Sequence, residues 1–354
     1  MVFTSVNRTI CFIMIYFFWF VYSSDFKPLL MLAAFRFFRY ANTRNQNKTA
    51  QEDKLVASIE MENLKKIMQQ MMAVGFAPKF DGSVDPLQLR QVVQTAQAHM
   101  ALEPNVSYHQ ETLGGIECEL SLPENARDDA VVFYIHGGGL ICGTAETSRG
   151  YAGMLAGESK LPVWSCTYRL APENKFPAGV DDCFAVYKAL LEKYPGKPIF
   201  LIGESGGAYL CIVTALKARD EGLKQPAAIV PYSPPIDWSG VIDRSFPGNK
   251  DFTVTPEGLY QLRDWYADGD FENPYVSPYY ADYAGLCPIL LAWDESESLS
   301  KDSEILRDKA KAAGVEVVWK SYPDCFHAFA TTGRGTPESY EILRDTIAFF
   351  NAHI

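Results

Sequence analysis

The sequence predicts an α/β protein, with a mostly parallel central sheet, helices on both faces and a helical cap over one edge. Three observations carry that expectation. Short apolar runs recur from about residue 112 onward, amphipathic stretches of helical length separate them, and Gly or Pro marks several of the junctions. Near-continuous apolar runs suit strands buried on both faces, and strand–helix alternation implies right-handed crossovers between parallel strands.

Taken in order, the expected strands are 131–135 (VVFYI), 163–168 (VWSCTY), 198–202 (PIFLI), 227–232 (AAIVPY), 288–293 (PILLAW) and 315–321 (VEVVWKS). Helical patterns lie at 61–73, 181–193, 206–219, 303–313 and 337–351. Thr255-Pro256 supplies an N-cap with Pro at the first helical position, ahead of EGLYQLRDWYA. Gly314 stands where a helix over 303–313 needs a C-cap glycine. The stretch 236–286 breaks the alternation: it is rich in Trp, Tyr, Pro and Asp, with one convincing helix. With the helices of 61–110 it is expected to form a cap above the carboxyl edge of the sheet, where ligands bind in such folds.

Composition narrows the function. The chain has 354 residues, 48% hydrophobic and 21% charged, with a net charge of −11. That is enough apolar material for a sizeable core, and an acidic surface repels phosphate backbones, so nucleic acid is not expected as a partner. The 8 cysteines (11, 118, 142, 166, 183, 211, 287 and 325) form no C-x-x-C pair, and most sit in apolar runs. They read as buried free thiols in a reducing compartment, and no metal-ligand spacing is present.

Residues 1–60 form a hydrophobic, basic leader. Its longest apolar run, 10–22 (ICFIMIYFFWFVY), would make a helix of about 20 Å, short of the roughly 30 Å of a hydrocarbon core. Three readings stay open: a signal-anchor giving membrane association through residues 1–40, an export signal, or an over-called start ahead of Met61. The last implies a cytoplasmic protein with one catalytic domain over 61–354.

Two motifs carry chemistry. Strand 198–202 runs into Gly203-Glu204-Ser205-Gly206-Gly207 and then a helix. In G-x-S-x-G at a strand–helix turn, the serine backbone is strained, side chains two positions either side would collide, and the helix N-terminus favours negative charge. Ser205 is therefore the candidate nucleophile. At the end of strand 131–135 stands His136-Gly137-Gly138-Gly139, where glycines let backbone N–H groups approach a developing oxyanion. Of the 5 histidines (99, 109, 136, 327 and 353), only His327 follows the nucleophile in a loop at a strand end, which makes it the candidate base. Chain order nucleophile–acid–histidine then leaves Asp294, Glu295, Glu297 and Asp302 as candidate acids.

Residues 131–354 resemble the hormone-sensitive-lipase-like family of esterases and lipases of the α/β-hydrolase fold. Besides the two motifs, Tyr168-Arg169-Leu170-Ala171-Pro172-Glu173, continuing to Phe176-Pro177-Ala178 and Asp181-Asp182, looks like the family's block after the glycine tetrad. Asn273-Pro274-Tyr275-Val276-Ser277-Pro278 looks like its segment before the acid-bearing strand. The resemblance implies oxyanion donors at the backbone amides of Gly138, Gly139 and Gly206, with His136, Gly137, Gly203 and Gly207 supporting the two loops. It places the acid at Glu297, thirty residues before His327, where the family usually has Asp-Pro-Leu. Three further departures are Glu204 for the usual Asp, Gly206 for Ala and Ala328 for Gly.

The implied activity is hydrolysis of carboxylic esters through an acyl-serine, on a small-molecule ester of short-to-medium acyl length, with no cofactor. Alternatives are an amidase or lactonase on the same fold, or a non-catalytic small-molecule receptor. Nothing in the chain points to a particular oligomeric state.

Overall fold

The computed structural model describes residues 57–75, 77, 79–83, 85–97 and 102–354; the leader, including the expected membrane-associating residues 1–40, lies outside them. Among the described residues no helix is long and apolar enough to cross a membrane. The chain enters through α1 (Ile59–Ala73) and α2 (Pro86–Gln97), then forms a hairpin of β1 (Val106–Leu113) and β2 (Ile116–Pro123). Next come β3 (Val131–Ile135), α3 (Arg149–Ser159), β4 (Val163–Cys166), α4 (Ala178–Lys193), β5 (Ile199–Glu204), α5 (Gly206–Asp220) and β6 (Ala228–Tyr232). A long insertion carries α6 (Pro256–Tyr266), and β7 (Ile289–Asp294), α7 (Ser300–Ala312), β8 (Val317–Tyr322) and α8 (Pro337–Ala352) complete the chain.

The strands form one sheet in the order β1-β2-β4-β3-β5-β6-β7-β8. β1 and β2 run antiparallel at one end and every pair from β4 to β8 is parallel. Period-two alternation sorts the side chains into two layers. Val131, Phe133, Ile135, Ile199, Leu201 and Ile229 join a core with Cys183, Tyr187, Leu210 and Val213 of α4 and α5. Their neighbours point the other way: Phe200 stacks on Phe350 of α8, and Tyr134 and Tyr232 meet Tyr151 of α3. Buried on both faces, β3, β5, β6 and β7 had to be almost wholly apolar; the edge strands β1 and β8 did not.

From β3 the chain moves outward to β4, then crosses back to place β5 on the other side of β3. Connections leaving β3 and β5 thus diverge, opening a crevice at their carboxyl ends, the usual place for a ligand in an open α/β sheet. Both motif loops start there.

Several junctions show the expected chemistry. Thr255 caps α6 by accepting the Gly258 N–H at 3.3 Å, and Pro256 opens the helix. Gly314 has φ of 81°, and Val315 N–H reaches back to Ala310 O at 3.0 Å. The first helix starts earlier than Met61: Ser58 caps α1, Met61 is fully buried, and Ser58 bonds Glu338 of α8. Residues 106–110, included in the expected cap segment, are instead part of β1; their polar side chains hide a strand that the hairpin pairs with β2. The 7 cysteines from 118 to 325 are free and buried.

Candidate active site

The turn from β5 to α5 puts Ser205 at φ 53° and ψ −123°, a conformation that L-residues rarely adopt and that costs on the order of 1–3 kcal/mol. Its surroundings hold it there. Ser205 N–H donates to Tyr232 O at 2.9 Å, tying the turn to β6. A Cβ at Gly203 or Gly207 would collide with the carbonyl oxygen of Ile135, so β3 and the turn pack at a distance that only glycine allows. At Gly206 a Cβ would sit 3.1 Å from both Cδ2 and the backbone N of Leu140, a tight contact short of the collisions at Gly203 and Gly207.

The loop after β3 is set against this turn. The N–H groups of Gly138 and Gly139 donate to no group among the described residues, and the Gly206 N–H opens α5, where a helix has no internal acceptor. Gly138 O accepts from Ile141 N–H and Cys142 N–H, each at 3.1 Å, which folds the loop back on itself. Glu204, the residue before the serine, reaches across so that its Oε1 accepts Gly137 N–H at 2.7 Å. Its Oε2 is buried without a partner, and burial pushes the carboxyl up to about 7 against the pull of the Gly137 N–H and the Tyr134 hydroxyl. His136 lies below the loop: it is buried, stacks on Tyr168 at 4.3 Å, and is held by burial down to about 4, so it stays neutral.

His327 occupies the loop after β8. Its Nδ1 lies 3.1 Å from Glu297 Oε2, and both side chains are buried. Burial by itself would depress the imidazole, but the Glu297 carboxylate outweighs it and raises the pKa above its ordinary value. Burial also lifts Glu297, to about 7, against the pull of His327. With Nδ1–H donating to Glu297, Nε2 carries the lone pair, and it has no partner among the described residues.

The other candidate acids are engaged elsewhere. Asp294 accepts Cys325 N–H at 2.9 Å and Ser296 Oγ–H at 2.7 Å, fixing the histidine loop. Asp302 is locked to Arg244 at 2.6 Å and to Ile236 N–H at 2.9 Å. Glu295 accepts Ser321 Oγ–H at 2.7 Å on the surface. No group of three His, Cys, Asp or Glu side chains among the described residues is placed to hold a metal.

Residues that motif reasoning passed over complete the surroundings. Arg90 of α2 donates to Ile141 O and Ala171 O and pairs with Glu173, binding α2 to the glycine loop and the Tyr168–Glu173 block. Arg169 of that block pairs with Asp182 at 2.7 Å. Beside Ser205, Gly139 and Gly206 lies a cavity of about 10 Å³, walled by Phe80, Pro235, Trp238, Val254, Leu259 and Leu262. No motif marks Phe80 or Arg90; only their tertiary contacts give them a place.

A family model described as the alpha/beta hydrolase fold matches residues 132–331. An esterase of Acinetobacter venetianus is 30% identical over 268 residues, covering 75% of this chain and 88% of the relative. An acetyl-hydrolase of Streptomyces hygroscopicus is 29% identical, covering 67% and 80%. Among solved structures, a hormone-sensitive lipase from a metagenome library superposes with a TM-score of 0.75 at 32% identity, over 82% of this chain and 99% of that one. An esterase from the bacterial hormone-sensitive lipase family gives 0.78 at 29% identity, over 85% and 100%. Fold, elbow and glycine loop together define a serine hydrolase of the α/β-hydrolase fold, and the chain belongs to that family. Within it the chain is a hormone-sensitive-lipase-like esterase, a carboxylesterase-type enzyme whose substrate is a small-molecule ester.

Proposed function

We propose that the enzyme hydrolyses short-acyl esters through a Ser205–His327–Glu297 triad and an acyl-serine intermediate. The observation that carries the triad is the buried Glu297–His327 contact of 3.1 Å, which leaves Nε2 as the free base. Ser205 Oγ attacks the ester carbonyl carbon as His327 Nε2 takes its proton, and Glu297 stabilises the imidazolium. The N–H groups of Gly138, Gly139 and Gly206 receive the negative charge on the carbonyl oxygen. Collapse breaks the carbon–oxygen bond to the alcohol, which leaves with the proton from His327. Water, deprotonated by the same imidazole, then attacks the acyl-serine and releases the acid.

The cavity beside Ser205 supports a short acyl group. It lies beside Ser205, Gly139 and Gly206, and in this reading it receives the acyl side. At about 10 Å³ it has room for roughly one water molecule. Relatives named as acetyl-hydrolases agree with that size. The segments 61–105 and 236–286 serve as the cap that supplies its walls.

The test is hydrolysis of p-nitrophenyl esters from acetate to palmitate by the wild type and by Ser205→Ala. Activity greatest on acetate or butyrate and abolished in the variant is the expected result. A flat or long-chain profile would remove the short-acyl reading, and an active Ser205→Ala would remove the mechanism.

A further inference from the structure

Six side chains, buried Pro235 among them, wall the acyl cavity, but they do not stand in it on equal terms. Trp238, Val254, Leu259 and Leu262 are 3–5% exposed and belong to the continuous hydrophobic core, so each also supports the packing of the insertion. Phe80 is partly exposed and arrives from a separate segment between α1 and α2. Its backbone is pinned without help from its ring. Phe80 N–H donates to Thr253 O at 2.8 Å, and Thr255 N–H donates to Phe80 O at 2.8 Å, a parallel bridge across Val254. A Cβ at Gly258 would collide with the Phe80 carbonyl, so the strand-like segment lies directly on the start of α6.

The ring meanwhile reaches the reaction centre. A Cβ at Gly139 would lie 3.1 Å from Phe80 Cε1 and 2.9 Å from Leu262 Cδ1, which places the ring edge over an oxyanion-loop glycine. The main chain thus sets where residue 80 is, and the side chain sets how much space remains beside Ser205.

Resting on the ester-hydrolase reading above, we infer that Phe80 is a specificity-determining residue: its ring closes the acyl cavity and sets the upper limit on acyl length. Removing the ring opens the cavity towards solvent along the pinned segment and leaves the other five walls buried. An acyl chain that then enters buries further methylenes, each raising kcat/KM by about fourfold.

The experiment measures kcat/KM for p-nitrophenyl acetate, butyrate and hexanoate with the full chain, for wild type, Phe80→Ala, Phe80→Leu and Ser205→Ala. The hexanoate-to-acetate ratio is expected to rise about tenfold or more in Phe80→Ala and by less in Phe80→Leu, which also answers the question if the alanine variant fails to fold. An unchanged ratio in the folded variants, with acetate hydrolysed by wild type and not by Ser205→Ala, overturns the role of Phe80 and leaves the esterase reading intact. Absence of ester hydrolysis in the folded wild type, or full activity in Ser205→Ala, overturns that reading and the inference with it.

Discussion

His327 shows how one carboxylate outweighs burial. The desolvated imidazole would be hard to protonate, yet Glu297 at 3.1 Å raises its affinity for a proton. In the proposed mechanism His327 must be neutral to act, so kcat/KM is expected to rise with pH, with its acid limb centred above the ordinary histidine value of about 6.5. Glu297→Gln removes the raising charge but keeps the burial, so the limb should move to lower pH as the rate falls; a pH–rate profile checks the sign. Under the proposed triad, Glu297→Ala should lower kcat by about 10³–10⁴, the effect that removing a triad acid has in other serine hydrolases. Glu204 bears on the proposed oxyanion donors through the glycine loop. Its bond to Gly137 N–H holds the glycine loop against the elbow, so Glu204→Ala should cut kcat by about 10–100-fold while changing KM far less, as measured by steady-state kinetics.

At the scale of elements, sequence patterns were legible where local chemistry decided the outcome. The capped start of α6, the glycine end of α7 and the apolar inner strands all needed specific residue types at specific places. The β1–β2 hairpin escaped because β1 is an exposed edge strand whose polar side chains give no burial alternation. Its one local signal is Gly114-Gly115 between the strands, both with positive φ, the residues a two-residue hairpin turn requires. Helix α3 has a weak amphipathic pattern because several of its buried residues are Gly, Ala or Ser. The start of α1 depends on Ser58, whose hydroxyl caps Met61 N–H and also bonds Glu338. Ser58→Ala should therefore cost about 1 kcal/mol, read from urea unfolding.

For the whole molecule, stability and activity make opposite demands on pH. Glu204 and Glu297 are raised to about 7, and His327 is raised as well. A carboxyl raised on folding binds more protons in the native state, so between about 4.5 and 7 its contribution falls as pH rises. A histidine raised on folding contributes stability that is complete below about 6.5 and lost as pH passes its native value, the same direction. Buried His136, held down to about 4, acts the opposite way up to about 6.5 and offsets one of the two carboxyls, so thermal stability is expected to decline most steeply above about pH 6.5 while kcat/KM climbs. Melting curves and rates over one buffer series check this, and Glu297→Gln should flatten the decline.

The sequence by itself determined the layered α/β architecture and picked out Ser205 and His327 as the candidate nucleophile and base, because these rest on patterns within one segment: buried strands that must be apolar, a strand–helix turn flanked by glycines, a histidine in a loop after a strand. The partner of that histidine was open among four carboxylates until folding set them apart, since Asp294, Glu295 and Asp302 each find other partners and Glu297 alone reaches the imidazole. The places of Phe80 and Arg90 and the size of the cavity beside Ser205 were decided only by tertiary structure. They depend on distances between segments far apart in the chain, and no local rule of periodicity, capping or turn chemistry encodes such a distance.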